Sequence, residues 1–450
     1  MNIDSLRNSI QGDVRISTDP AYGKYQQTYF LSSVAAKSPA LVISPATTED
    51  IAAAIVWARD VGMGVAVRGG GHSAFSSADN KLVLDLSLHF NEAKLHGQDI
   101  VAGGGTTMGT LLAAGASKNR AVPVGAAAGP GMGLALHGGI GWLCRRYGLT
   151  IDHLLEVEMV LPSGAVITLG PDSAESDLWW SVRGAAPNFG VVSKATFRTH
   201  EVDLMGFHRY KVPAQLLAPA LNHAESVGEN MDVSLACAQS PGEDASLLIY
   251  ISVQGSEAEV SASQKTADDF VSGITDSVIA SDHSLSPYRD SPEFDFPGAP
   301  IPEPGPVQLY GNSPFLGPAT DLDHVAQVIL TGISRAKFPV RVNFEQMGGA
   351  VASVAPDATP FWNRQATWSM TVTAVWPDLA SKQPTADWVN ETVGELGSDV
   401  CGSYIVEAHP KETNIRDYVA SSFGGNLDRL RSLKRKTDPD NLFDSYYPLT

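Results

Sequence analysis

The chain has 450 residues, of which 43% are apolar and 18% charged, so it is long enough for two domains that each bury a core. Its formal net charge of −18 disfavours the basic face that a nucleic acid or an anionic membrane surface requires, so we expect neither partner. The first residues lack the basic and apolar regions of a signal peptide, and no stretch approaches the roughly 20 apolar residues of a membrane span. We therefore expect a cytoplasmic protein.

The cysteines disfavour a disulfide framework or a zinc site. Cys144, Cys237 and Cys401 are far apart, odd in number, and include no C-x-x-C pair. We predict three buried free thiols and no metal.

The chain begins its regular structure with a strand, a helix and a strand that ends in an unusual turn. Residues 41–43 are apolar, and Thr47 precedes two acids, which is typical of a helix start. The helix should end near Gly62, before a strand at 65–67. Three glycines follow, in Arg68-Gly69-Gly70-Gly71-His72-Ser73, and they permit positive φ and close approach to a ligand. Successive N–H groups of such a turn can bind a pyrophosphate.

Two other interpretations of this turn stay open. It can be an ordinary tight turn that carries a surface histidine. The segment from Gly71 to Phe75 also fits the first three places of the G-x-S-x-G elbow of serine hydrolases, although Phe75 occupies a place that needs a small residue.

Glycine is again dense at residues 125–148, where neither a helix nor a strand would be stable alone. The density fits close approach to a flat ligand, and the alternative is a Gly/Ala crossing of two packed elements. Gly131-Met132-Gly133 lacks the third glycine of a dinucleotide fingerprint at the required offset. A third glycine-bearing loop, residues 183–192, leads into a strand.

The remaining pattern predicts two regions of different character. Up to about residue 200 we predict strands at 82–86, 100–102, 155–161 and 165–169, and helices at 108–116 and 177–182. Beyond it, strands at 247–253, 341–347 and 368–376 with a helix at 258–271 predict a second, largely antiparallel sheet. Residues 285–306 form a Pro-rich loop, a lid or surface excursion. A basic helix at 427–436 is followed by an apolar return at 438–443.

Together, these segments resemble the FAD-linked oxidases of the vanillyl-alcohol-oxidase type, and more narrowly the berberine-bridge-enzyme-like branch that includes 6-hydroxy-D-nicotine oxidase. The matching pieces are residues 68–73, 84–87, 133–141, 145–152 and 183–192, with Lys434 and 438–443. They cover the FAD-binding part nearly from end to end.

The resemblance implies an α+β fold with a two-subdomain FAD-binding domain at residues 1–200. It implies a substrate-binding domain at 201–404, with an antiparallel sheet flanked by helices, and a segment at 405–450 that returns to the first domain. It also implies FAD, covalently joined through a ring nitrogen of His72 to the 8α-methyl of the isoalloxazine. The other FAD-binding residues implied by the resemblance are Arg68, Gly69, Gly70, Gly71, Ser73, Gly133, His137, Gly138, Gly139, Gly141, Gly190 and Val191. Loops 69–73 and 138–141 would hold the pyrophosphate, and Gly190-Val191 would lie near the adenine.

Two positions depart from the family pattern. Many relatives carry a second flavin tether, a cysteine, at the place that Ala126 occupies here, and Cys144 lies on the wrong side of the loop. We therefore predict a single tether. Relatives tend to have asparagine near the flavin where this chain has Tyr446, whose phenol could bind substrate or simply pack.

Three residues are candidates for the catalytic group that manages the substrate proton. Glu345 interrupts an apolar strand, where a carboxylate is costly to bury without a task, although an alternating strand could also expose it to solvent. Tyr250 is the second candidate, with a satisfied core tyrosine as the alternative. Tyr446 is the third. Arg364 could bind an anionic substrate, but we expect it to pair with a nearby acid.

The function that follows from the resemblance is an FAD-linked oxidase of a small or medium organic molecule, an alcohol, an amine or a secondary-metabolite intermediate. Its partners would be that substrate and O2, with H2O2 as the second product. An oxidative cyclase of natural-product biosynthesis is the alternative within the family. A non-catalytic flavin carrier and a serine hydrolase that uses Ser73 are more distant alternatives.

Overall fold

The computed structural model describes residues 3–29, 36–293, 308–408 and 415–449. Its α-helices are α1 (Ile3–Ser9), α2 (Thr48–Asp60), α3 (Met108–Gly115), α4 (Met132–Ala135), α5 (Cys144–Tyr147), α6 (Ser176–Ala185), α7 (Leu217–Ala224), α8 (Glu257–Ser261), α9 (Ser263–Ser272), α10 (Leu322–Arg335), α11 (Lys382–Glu395), α12 (Ile415–Phe423) and α13 (Leu427–Thr437). Its strands are β1 (Asp13–Arg15), β2 (Leu41–Ser44), β3 (Val65–Arg68), β4 (Leu82–Asp85), β5 (Ala93–His96), β6 (Asp99–Gly103), β7 (Arg120–Ala121), β8 (Leu154–Val160), β9 (Val166–Leu169), β10 (Val191–Arg198), β11 (His200–Glu201), β12 (Leu204–Pro213), β13 (Met231–Gln239), β14 (Ser246–Val253), β15 (Ala280–Pro287), β16 (Leu309–Asn312), β17 (Pro314–Leu316), β18 (Val340–Gln346), β19 (Trp368–Val375) and β20 (Val400–Ser403).

The first sheet carries the glycine turn at the end of one of its strands. Its order is β1-β2-β4-β3, and β4 runs parallel to both of its neighbours. Helix α2 connects β2 to β3 and begins as predicted, because the side chain of Thr47 accepts a hydrogen bond from the Asp50 backbone N–H at 3.2 Å. The apolar face of α2 packs on this sheet, so the turn after Arg68 starts from a rigid strand.

The second sheet has the order β5-β6-β10-β8-β9, and all of its pairs are antiparallel. Strands β8 and β9 form the predicted hairpin around Pro162-Ser163-Gly164, with Gly164 at φ +84°. The third glycine loop leads into the central strand β10. The first and third glycine loops are therefore both anchored on strands of the N-terminal region.

A nine-stranded antiparallel sheet forms the second region, as predicted. Its order is β15-β12-β14-β13-β18-β19-β17-β20, and β16 pairs with β19. Alternate residues of β18, such as Val342 and Phe344, are fully buried in a cluster with apolar residues of α7, α10 and α11. The other face of β18 is directed to the glycine loops. The domain boundaries after residues 200 and 404 stay predictions.

The C-terminal segment returns to the first sheet and is held by a buried ion pair. Lys434 of α13 donates to Asp438 at 2.7 Å, and both side chains are 1% exposed. The Asp438 carboxylate also accepts from the backbone N–H groups of Leu442 and Phe443, both at 2.9 Å. Leu442 and Phe443 are buried against α2 and the first sheet, which confirms the predicted apolar return.

Replacing Asp438 by alanine should destabilise the protein by about 3–5 kcal/mol, because it leaves the Lys434 ammonium buried without its counter-ion. The effect should appear as a lower midpoint of urea-induced unfolding. Glu395→Ala, which breaks an exposed ion pair with Arg335, is the control and should change the midpoint little. Equal midpoints for the two variants would contradict a stabilising role for the buried pair.

Three predictions need correction. The helix predicted over 258–271 is two helices, α8 and α9, which meet at Ala262 with φ −88° and ψ 0°. The Pro-rich loop predicted from residue 285 begins later, because β15 continues to Pro287; residues 294–307 lie outside the described residues. Cys401 is exposed, whereas Cys144 and Cys237 are buried as predicted. Among the described residues, every helix is too short or too polar to span a bilayer.

Candidate active site

A cavity of about 980 Å³ lies between the glycine loops and the large sheet. Its size falls in the range of pockets for cofactors and small molecules. One wall consists of the turn after β3 and of residues 126–134, and the opposite wall consists of β18 and β19. Residues 404–407 and Tyr446 line it as well. The cavity therefore joins the two regions of the fold.

The floor of the cavity consists of backbone, because two glycine segments contact each other there. A Cβ on Gly70 would lie 2.6 Å from the backbone nitrogen of Gly131, and Gly71 has φ +73°. Within the described residues, the backbone N–H groups of Gly69, Gly70 and Gly71 form no hydrogen bond. Three consecutive unpaired donors on a floor free of side chains fit the pyrophosphate of a dinucleotide. This arrangement fits FAD.

His72 stands at the edge of this floor in a position that suits a covalent tether. Its ring stacks on Tyr29, with ring centroids 4.3 Å apart, and a Cβ on Gly129 would lie 2.5 Å from its Nε2. Burial lowers the pKa of His72 to about 4, and the nearby Arg68 guanidinium contributes in the same direction. The imidazole is therefore neutral at pH 7, and a neutral ring nitrogen is nucleophilic.

The other implied FAD residues divide into three groups. Gly69, Gly70, Gly71, Ser73, Gly133 and Gly190 line the cavity. Gly138, Gly139 and Gly141 pack on protein instead, since a Cβ on Gly138 would lie 2.8 Å from the Tyr404 hydroxyl oxygen and the other two abut Thr150 and Val124. This packing is a sufficient reason for glycine, so pyrophosphate binding by these three stays a prediction.

His137, Val191 and Arg68 do not line this cavity in the described part of the chain. His137 is buried, donates from Nδ1 to the Gly133 carbonyl at 2.6 Å and accepts at Nε2 from the Tyr447 hydroxyl at 3.1 Å. Arg68 lines a second cavity of about 350 Å³, which shares Gly69 and Gly70 with the first. Their proposed contacts with FAD stay predictions.

The sheet face above the glycine floor carries the polar residues. Arg341, Asn343 and Glu345 alternate along β18 and all line the cavity, together with Thr371 and Thr373 of β19. Arg341 donates from Nε to Asn343 at 2.7 Å and from Nη2 to the Tyr250 hydroxyl at 3.2 Å. Tyr250 does not line the cavity and instead supports Arg341, which favours the interpretation of Tyr250 as a satisfied core tyrosine.

Glu345 is directed into the cavity rather than into bulk solvent. It is only partly exposed, and that exposure belongs to the cavity wall. Desolvation raises its pKa to about 8, and the carboxyls of Asp232 and Glu407 add to the shift. Glu345 can therefore change protonation state near neutral pH, as a general base requires.

Tyr404 and Glu407, like Arg341 and Asn343, were not identified as site residues from the sequence. Tyr404 and Glu407 line the cavity at the 3-10 helix Ile405–Glu407, and the Tyr404 hydroxyl accepts from the Gly139 N–H at 2.9 Å. Burial raises the pKa of Glu407 to about 7. The sequence feature that could have identified Glu407 is an acid in the short apolar stretch 404–408. The same feature, an acid among apolar residues, identified Glu345.

Tyr446 and Ala126 also face the cavity, whereas Cys144 does not. Tyr446 forms a hydrogen bond with the Ser73 side chain, and burial raises its pKa to about 12. Cys144 lies in a buried cluster behind the loop. Arg364 forms a bidentate pair with Asp152, with distances of 2.7 and 2.8 Å, as expected.

Comparison with known proteins supports FAD as the cofactor. Residues 39–170 match the family model of the FAD binding domain, and residues 388–446 match the model described as berberine and berberine like. The chain is 34% identical over 234 residues to (R)-6-hydroxynicotine oxidase of Paenarthrobacter nicotinovorans, an alignment that spans 49% of this chain and 46% of that protein. It is 26% identical to the xylooligosaccharide oxidase of Thermothelomyces thermophilus, over 91% of this chain and 86% of that one.

A solved structure shows the same fold. The glucooligosaccharide oxidase of Acremonium strictum, described with a 6-S-cysteinyl, 8α-N1-histidyl FAD, superposes with a TM-score of 0.83 at 20% identity over 98% of each chain. The protein is therefore an FAD-dependent oxidoreductase that acts on an organic substrate. Within that class, residues 39–170 and 388–446 resemble the FAD-binding and berberine-like segments of the berberine-bridge-enzyme-like FAD-linked oxidases.

Proposed function

We propose that the protein is an oxidase with a single covalent tether to FAD through His72, and that it acts on an alcohol or amine of small or medium size. The observation that carries this proposal is one cavity with Glu345 on one side and, on the other, a neutral His72 and three glycine N–H groups that form no hydrogen bond with the described part of the chain. Ala126 at the place of the second tether supports a single bond.

The residues that line the cavity have separate roles in the reaction. The N–H groups of Gly69 to Gly71 and the His72 ring would hold FAD, which would supply the hydride acceptor, and O2 would reoxidise the reduced flavin with formation of H2O2. The second substrate hydrogen leaves as a proton, from an O–H or N–H group, and a carboxylate oxygen of Glu345 accepts it. The apolar part of the wall excludes water, and Arg341 and Asn343 orient polar groups of the substrate.

The purified protein should be yellow, and a substrate should bleach the flavin when oxygen is absent. The first panel should contain 6-hydroxynicotine and xylobiose, because the names of two relatives point to these classes. We expect one H2O2 per product in air, measured with a peroxidase-coupled assay. Product formation without oxygen uptake would instead support the cyclase, and a colourless folded protein would contradict the proposal.

A further inference from the structure

Two carboxyl groups face the same cavity, and the reaction proposed above uses only one of them. Glu345 projects from β18, and Glu407 projects from the segment that connects β20 to α12. Within the described residues, neither carboxyl forms a hydrogen bond or an ion pair. Burying a carboxyl without a partner is costly, so the partner of each is expected to be a molecule in the cavity.

From this geometry, and resting on the oxidase function proposed above, we propose that Glu407 is a second catalytic carboxyl, which shares one proton with Glu345. Above about pH 8 both carboxyls are ionised, and the pair accepts the proton that the substrate loses, because the charge of Glu407 raises the proton affinity of Glu345. The pair gains one proton per turnover and releases it to solvent when the product leaves. The other hydrogen of the substrate would leave as a hydride to bound FAD and carry both electrons, so the step balances.

The electrostatics of the surrounding groups agree with a shared proton. Each carboxyl has a pKa above its ordinary value, near 8 for Glu345 and near 7 for Glu407, because both are desolvated, and the charge of Glu407 raises the pKa of Glu345 further. Asp232 on β13 is a third acid beside Glu345, with its pKa raised to about 7. The nearby charged or titratable groups include Arg341 on β18, Arg145 beside Asp232, the Cys144 thiol of α5, and the phenols of Tyr404 and Tyr446.

Asp232 provides a matched control, because it acts on Glu345 through its charge but does not line the cavity. Glu407→Gln and Asp232→Asn each remove one negative charge near Glu345. Both should therefore move the acidic limb of the kcat/KM profile to lower pH. Only Glu407→Gln should also lower the plateau at high pH, by about 10²-fold, since it alone removes a group that handles the proton.

The experiment has two arms on the FAD-loaded full-length protein. Infrared difference spectra between pH 6 and pH 10, without substrate, should show the two cavity carboxyls and Asp232, whose band is assigned by its loss in Asp232→Asn. In Glu407→Gln, one cavity band should be lost and the Glu345 band should titrate at lower pH. The kinetic arm uses the panel compound that bleaches the flavin fastest. If no compound bleaches wild type, the oxidase function fails, while the infrared arm still tests the shared proton.

The possible outcomes separate the roles of Glu407. A Glu407→Gln variant with the plateau of wild type, like Asp232→Asn, would make Glu407 an electrostatic neighbour only and would overturn the proposal. If the pKa of Glu345 in Glu407→Gln equals that in wild type, the proposal is overturned as well. If the glutamine variant does not fold, Glu407→Asp replaces it, and we expect a lower plateau with the two-carboxyl titration retained.

Discussion

Glu345→Gln should lower kcat/KM by about 10²–10⁴-fold, the usual contribution of a positioned general base. Glutamine fills the same space on β18 but accepts no proton, so the fold and the FAD site should be preserved. The wild-type profile should rise with pH to a plateau above about 8, because desolvation and neighbouring acids raise the pKa of Glu345 to about 8 and only its ionised form accepts a proton. In the variant, this limb should move to lower pH, since only Glu407 remains and it no longer faces a second carboxyl.

The measurement is the rate of flavin bleaching in anaerobic stopped flow, across pH 5.5 to 10, with the panel compound that bleaches wild type fastest. Glu257→Gln makes the same chemical change at an exposed position of α8 and should leave the profile unchanged. A Glu345→Gln variant that bleaches as fast as wild type at every pH would remove Glu345 from the reaction.

His72→Ala should abolish acid-stable flavin. In wild type, the flavin should stay in the pellet after acid precipitation, because it is bonded to the imidazole; in the variant, it should appear in the supernatant. The physical basis is the neutral ring, whose pKa burial lowers to about 4, and its place at the edge of the glycine floor. The glycine N–H groups remain, so the variant should still bind FAD, reversibly.

Two further variants complete this test, which uses absorbance of pellet and supernatant and needs no substrate. His89→Ala replaces an exposed histidine and should retain the flavin in the pellet. Cys144→Ala should retain it too, since Cys144 is buried away from the cavity. Flavin in the His72→Ala pellet would place the bond on another residue.

The regular elements were predictable because their signals are local. The cap at Thr47 and the alternation in β18 each depend on neighbours in the chain, and both regions formed as expected. The break at Ala262 was missed because both halves of that segment favour a helix and no glycine or proline marks the change of direction.

The site was predictable only in part. The turn at 69–71 was identified because three consecutive glycines favour a backbone with positive φ that approaches a ligand closely, whereas Glu407 was missed because a single acid in a short segment is common. For the glycines at 138–141, the structure adds a second reason for the residue type. Their density pointed to a cofactor, but in the structure Gly138, Gly139 and Gly141 each have a protein neighbour that leaves no room for a side chain.

The sequence alone determined where the backbone can turn with positive φ, which strands alternate, and which family the ordered glycine loops resemble. Only the tertiary structure decided that Glu345 and Glu407 face one cavity opposite His72, and that Tyr250 supports Arg341 from behind. The reason is physical. Backbone conformation depends on adjacent residues, whereas the pKa of a carboxyl depends on burial and on charges that distant segments bring within reach.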